Sequence, residues 1–177
     1  DFRVDYGTIV SCHMINPDWD KPIVTISSNR STHYYSDEVM NEQASALGKA
    51  VSKAIIESGK RVVLVASHSL SHRHFVTEAP LPEDMSREHI YNHSQYVWDM
   101  KVIEMMRDGK MEEVIGILPE MIEQTMAEAE GGGLTWMMSA MGMPDYPAEI
   151  YGYQSVIGTG NVIAAWDPNS ATRAMVL

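Results

Sequence analysis

The stretch that decides the fold is Arg61–Phe75, RVVLVASHSLSHRHF. It begins with a short, mostly β-branched apolar run, Val62–Val65, a pattern typical of a strand buried on both faces. Serines and three histidines, His68, His72 and His74, follow directly. In an open α/β sheet, ligands gather beyond the carboxyl ends of the strands. We therefore expect a functional site at this end of the predicted strand.

A second buried-strand candidate, Pro22–Ser28, lies upstream, and an amphipathic helix is predicted between the two strands. Ser36 suits the N-cap of that helix, and Gly59 suits its end. Strand, helix and strand over residues 22–67 predict a βαβ unit with parallel strands. We expect one domain over residues 1–177 with an α/β fold, in which a central mixed sheet carries helices on both faces.

The second half of the chain is predicted to be mostly helical and to close with a hairpin. A long loop is expected over residues 77–92, followed by helices over 94–108 and 111–118, a new helix that starts at Pro119, and a short one over 134–141. Two strands are predicted over 149–157 and 161–166, with Gly158–Gly160 as the tight turn between them.

Composition excludes some classes of function. The net charge of -11 argues against a nucleic-acid-binding protein or one that binds anionic membranes, because both need basic patches. No run reaches the roughly 18 apolar residues of a membrane span. Cys12 is the only cysteine, so an internal disulfide is impossible, and a reducing compartment such as the cytoplasm is expected.

The residue pattern alone leaves several roles open. His68, His72 and His74 could bind a metal, one of them could act as a general acid or base, or they could hydrogen-bond the loop. Glu128 shares a helical row with Met121 and Thr125, so it is either a metal ligand or a charge at the rim of the helix end.

Two motifs together point to a family: Asp5-Tyr6-Gly7-Thr8, and Ser69-Leu70-Ser71-His72 directly after the predicted strand. They resemble the class III extradiol ring-cleaving dioxygenases. Many members have histidine at the position of Tyr6, and a tyrosine there resembles the aminophenol-cleaving branch of the family. Further similar runs occur in matching order at residues 59–61, 82–86, 111–114 and 156–161.

The resemblance implies a function and a set of site residues. Such enzymes use non-haem Fe(II), held by two histidines and a glutamate, to bring an aromatic substrate and dioxygen together. Glu128 matches the carboxylate ligand, and His72 matches the acid/base group that takes a proton from the substrate. Tyr6 matches a residue that hydrogen-bonds the substrate or its oxygenated intermediates.

Nothing in the sequence matches the family's two histidine ligands, which lie in its N-terminal third. Use of His68 or His74 instead would imply a different design. The chain is therefore expected to be the C-terminal portion of a catalytic subunit, to lack Fe(II) and to be inactive alone. An open sheet edge should then favour a homo- or hetero-oligomer with a related subunit. The rival hypothesis is a non-catalytic partner subunit or binding module.

Overall fold

The computed structural model describes residue 4 and residues 6–26, 35–72 and 92–169. These residues form five α-helices, one 3-10 helix and a pair of β-strands. In chain order they are α1 (Tyr6–Ile15), α2 (Asp37–Ser58), α3 (His93–Arg107), α4 (Met111–Thr125), the 3-10 helix (Glu128–Gly131), α5 (Gly132–Met141), β1 (Glu149–Val156) and β2 (Thr159–Ala165).

Helix α2 has both of the ends that its sequence predicts. The Ser36 hydroxyl accepts a hydrogen bond from the Val39 amide, and Gly59 ends the helix with φ +62°. The helix packs on α5, where a β-carbon at Gly48 would lie 2.4 Å from the carbonyl oxygen of Trp136. A glycine at this point of α2 therefore allows the close approach of the two helices.

The hydrophobic core lies between α3, α4 and α5, and Leu70 reaches it from the segment that follows α2. Helix α4 runs through Pro119, which corrects the prediction of a helix start there. Proline has no amide hydrogen, so it costs α4 one internal bond, and the buried apolar face of the helix offsets that loss. The apolar side chains that are fully buried in this core include Val102, Ile103, Met106, Met111, Val114, Met121 and Met138.

Strands β1 and β2 form an antiparallel hairpin close to the predicted strand positions. The turn, however, is Ile157–Gly158, with φ +52° and +79°, instead of the predicted Gly158–Gly160. Two positive φ angles suit the twist of a two-residue hairpin. Thr159 and Gly160 consequently belong to β2, and His72 bridges to Thr159 at the turn end of the pair.

The α/β class is confirmed, but the described sheet consists of the β1–β2 pair and is smaller than the predicted central mixed sheet. The structure also corrects the predicted βαβ unit. Residues 22–26 and 61–69 flank α2 but are not strands in the described part of the chain. Val24 is 86% exposed and Val63 is 80% exposed, so no described neighbouring strand covers either segment.

The predicted loop over residues 77–92 falls almost wholly outside the described residues, as do Asp5, His33, His74 and His89. Among the helices that are described, none combines the length and the apolar character needed to cross a membrane.

Candidate functional site

The segment Ser69–His72 is attached by its backbone to two parts of the fold. On one side, the Leu70 amide donates to the Gly160 carbonyl at 2.8 Å, and the Gly160 amide donates to the Ser71 carbonyl at 2.9 Å. On the other side, the His72 amide donates to the carbonyl of Thr125 at 3.3 Å. The segment therefore lies between β2 and the end of α4, with little freedom to shift along either.

Glu128, which follows shortly after the end of α4, also contacts the segment Ser69–His72. Met126 ends α4 in the left-handed region, with φ +52°, which turns the chain so that the Glu128 amide donates to the Leu70 carbonyl at 3.2 Å. Its carboxylate oxygen Oε2 accepts a hydrogen bond from the Ser69 amide. Backbone and side chain of Glu128 are thus both fixed to the segment that carries His72.

This arrangement brings His72 and Glu128 together. The imidazole Nε2 of His72 lies 3.9 Å from Oε1 of Glu128, and the two side chains are 31% and 32% exposed. That distance is too long for a direct hydrogen bond, and both groups keep a face open to solvent. The pair can therefore share a small ligand or ion between an imidazole and a carboxylate.

His68, directly before the segment Ser69–His72, is held by local contacts. Its Nδ1 lies 2.8 Å from the Ser69 carbonyl oxygen, which can only accept, so Nδ1 carries the hydrogen. Burial holds the pKa of His68 below its ordinary value, against the opposing effects of that bond and of the Glu128 charge. A β-carbon at Gly133 would lie 2.9 Å from the His68 ring. His68 therefore matches the loop-bonding hypothesis for the histidines.

Asp99 on α3 is a functional candidate that the sequence reasoning missed. It is fully buried, yet its Oδ1 accepts from the Ser71 amide at 2.9 Å, and its Oδ2 accepts from the hydroxyls of Ser71 at 2.7 Å and Tyr153 at 2.8 Å. Burial raises the pKa of Asp99, and the bonds from Ser71 and Tyr153 oppose that rise. Asp99 shares one face of α3 with Gln95, Val102 and Ile103, which are also buried. An acidic residue on such a face is the sequence signal that could have identified it.

Gln95, one turn before Asp99, supports the other side of His72. Its side chain is buried, and Nε2 donates at 3.1 Å to the Thr125 carbonyl that also accepts from the His72 amide. The Thr125 hydroxyl donates back to Met121 within α4 at 2.7 Å. The acceptor of the His72 amide is therefore itself held in place.

Tyr6 is not brought to His72 and Glu128. It is the first residue of α1, it is 81% exposed, and it makes no hydrogen bond or ring contact with another described residue. Its predicted role toward substrate stays a prediction.

The donors near His72 do not make up a complete iron site. Within the described ranges, no group of three or more histidine, cysteine, aspartate or glutamate side chains is placed to hold a metal ion. Glu128 fits a single carboxylate ligand, since Oε1 is partly open to solvent while the Ser69 amide holds Oε2. The remaining ligands of such a site would have to come from outside the described residues.

Comparison with known proteins identifies the family. The family model for the catalytic LigB subunit of aromatic ring-opening dioxygenase matches residues 1–165. The chain is 51% identical over 175 residues to the 2-aminophenol 1,6-dioxygenase beta subunit of a Pseudomonas species, and this match covers 99% of the chain. It is 26% identical over 149 residues to 3,4-dihydroxyphenylacetate 2,3-dioxygenase of Escherichia coli, a match that covers 84% of the chain.

The matches cover only part of these two relatives. They extend over 57% of the Pseudomonas protein and 51% of the Escherichia coli protein. The chain spans about half the length of the curated relatives it matches. The family match itself covers most of the chain, and the chain belongs to the family of catalytic LigB subunits of aromatic ring-opening dioxygenases.

Proposed function

We propose that this chain is part of an Fe(II)-dependent extradiol dioxygenase that opens an aminophenol or catechol ring with dioxygen. The observation that carries the proposal is the 3.9 Å separation of His72 Nε2 and Glu128 Oε1, two residues from distant parts of the sequence. The family match and the names of the two relatives, both dioxygenases, support the reaction class. The 2-aminophenol relative makes an aminophenol the first substrate to test.

His72 is proposed as the acid/base residue. An aromatic hydroxyl must lose a proton before the ring is oxygenated, and a neutral imidazole with one open face can accept it. The backbone hydrogen bonds of Ser71 and His72 fix the point from which the His72 side chain extends. The imidazole therefore takes the proton at a defined position. Tyr6 is proposed to donate a hydrogen bond to the substrate.

Glu128 is proposed as one ligand of Fe(II). The bond from the Ser69 amide fixes Oε2 and leaves Oε1 on the side of His72. Because the described residues supply no full ligand set, we propose that the sequence 1–177 alone neither holds iron tightly nor turns over substrate. We further propose a single domain that works in the cytoplasm with a related subunit, as the name "beta subunit" of the Pseudomonas relative suggests.

A non-catalytic partner subunit is the second candidate, and the incomplete ligand set among the described residues favours it. A subunit without chemistry has no use for an acid/base histidine held beside a carboxylate. The two candidates therefore differ in what loss of His72 does to turnover.

The experiment compares the gene product that carries this sequence, purified with any subunit that accompanies it, in wild-type and His72→Gln forms. After anaerobic loading with Fe(II), oxygen uptake on 2-aminophenol is recorded. His93→Gln, at the exposed start of α3, is the matched control.

We expect His72→Gln to lower turnover by about 100-fold or more at unchanged iron content, which is the usual range for a lost general acid or base. The His93 variant should match the wild type. Wild-type turnover in the His72 variant would establish the non-catalytic role. A loaded wild type without uptake on any aminophenol or catechol would contradict the proposed function.

A further inference from the structure

We infer that Asp99 is a positioning residue for His72, acting through Ser71 with the help of Tyr153. The inference rests on the proposed function, because it concerns the residue assigned to proton transfer there. Asp99 hydrogen-bonds to Ser71 and Tyr153. Ser71 directly precedes His72, so Ser71 links Asp99 to the imidazole.

The first argument is the cost of the arrangement. A fully buried carboxylate loses its hydration, and only hydrogen bonds to its oxygens offset that loss. An apolar side chain of similar volume would fill this position of α3 without that desolvation cost, but it would leave the donors of Ser71 and Tyr153 without their acceptor. The carboxylate therefore has a role beyond filling space, and its hydrogen bonds indicate that it acts on Ser71 and Tyr153.

The second argument is that Asp99 engages the residue directly before His72. The amide and the hydroxyl of Ser71 both donate to Asp99. The carbonyl oxygen and the hydroxyl oxygen of Ser71 accept from the Gly160 amide, at 2.9 and 3.2 Å. Every polar group of Ser71 is thus used. The backbone entering His72 can neither rotate nor slide without breaking several bonds at once.

The third argument is that α3 holds His72 from both sides. Asp99 secures Ser71, and Gln95, one turn earlier on the same helix, secures the Thr125 carbonyl that accepts from the His72 amide. A rigid helix thereby sets the position of the imidazole relative to Glu128. Displacement of an acid/base group by about 1 Å lowers rates by about 100-fold.

The test uses Asp99→Asn in the Fe(II)-loaded gene product described above. Asparagine keeps the shape and one acceptor for the Ser71 amide, but it places donor hydrogens where the hydroxyls of Ser71 and Tyr153 donate. We expect kcat for 2-aminophenol to fall by about tenfold or more, with KM within about twofold and iron content unchanged, as for lost positioning.

Tyr153→Phe removes one hydroxyl and leaves the carboxylate, so a smaller fall in kcat of about threefold is expected. Tyr151→Phe is its matched control: Tyr151 lies on the same strand, is 62% exposed and donates to Glu149. That variant should keep the wild-type kcat. If Asp99→Asn does not fold, the Tyr153 and Tyr151 variants decide the question.

A double mutant separates positioning from general support of the fold. If Asp99 acts through His72, Asp99→Asn should cause no further loss of kcat in a His72→Gln background, although it lowers Tm in both backgrounds. An equal loss in both backgrounds, or an unchanged kcat in Asp99→Asn, would overturn the inference while the proposed function stands. An inactive wild type would remove the proposed function first.

Discussion

Gly160 lies so close to Asp99 that a β-carbon on the glycine would come within 1.8 Å of the aspartate Oδ2. The same hypothetical atom would lie 2.8 Å from the Ser71 hydroxyl oxygen. The amide of Gly160 meanwhile donates to the Ser71 carbonyl. A residue without a side chain is therefore required where β2 passes the buried carboxylate and the segment that carries His72.

Gly160→Ala should accordingly destabilise the protein. The added methyl group meets a carboxylate and a hydroxyl that are fixed by hydrogen bonds, and overpacking of this kind costs about 1–3 kcal/mol or more. Gly152→Ala on β1 is the matched control, since a β-carbon there meets nothing within 4 Å. Urea denaturation should show a lower midpoint for the first variant alone. Equal midpoints would contradict the close packing of Gly160 on Asp99.

The raised pKa of Asp99 predicts a pH dependence of stability. A carboxyl group whose pKa is higher in the folded than in the unfolded protein binds its proton more tightly when folded. Its contribution to stability is therefore lost as the pH rises from the ordinary pKa of 3.8 through the raised value. In Asp99→Asn this loss is absent, while the other titrating groups remain.

The free energy of unfolding of the wild type, minus that of Asp99→Asn, should therefore be larger at about pH 4 than at about pH 7. Urea titrations of both proteins at the two pH values measure it. A difference that grows with pH would show that hydrogen bonding outweighs burial at Asp99.

The exposed valines beside α2 predict self-association. Val24 and Val63 are 86% and 80% exposed in segments that no described strand covers, and apolar segments of this kind favour contact with a second copy. We expect the chain to form dimers or larger species by light scattering, and a Val24→Lys/Val63→Lys variant to shift toward monomer. Ile56→Lys, at a residue 76% exposed near the end of α2, is the control. A strictly monomeric wild type would contradict this prediction.

The features that the sequence predicts well are those that depend on residues close together in the chain. The caps of α2 at Ser36 and Gly59 and the closing hairpin follow from single residues and their immediate neighbours. The hairpin turn was displaced because Ile157 adopts a positive φ that β-branched residues rarely take. The βαβ prediction assumed that the apolar run around Val63 has a neighbouring strand, and a sequence pattern cannot show whether one is present.

The candidate site depends on contacts between distant residues, which spacing alone does not reveal. The spacing of Glu128 allows either a ligand or a rim charge, the family resemblance favours the ligand, and the structure places Glu128 beside His72. Asp99 was missed because its partners, Ser71 and Tyr153, come from other elements. Only tertiary packing makes a buried aspartate distinguishable from an ordinary surface charge.

The most direct measurement of the central claim, that His72 and Glu128 have separate tasks at one iron site, is the iron content of their variants. Glu128→Gln, His72→Gln and the control Glu123→Gln, an exposed residue on α4, are made in the gene product that carries this sequence, purified with any subunit that accompanies it, loaded with Fe(II) without oxygen and then desalted. The account predicts iron lost from the Glu128 variant and retained by the other two, with turnover lost in both site variants. Retention of full iron by Glu128→Gln, or loss of iron from His72→Gln, would contradict it.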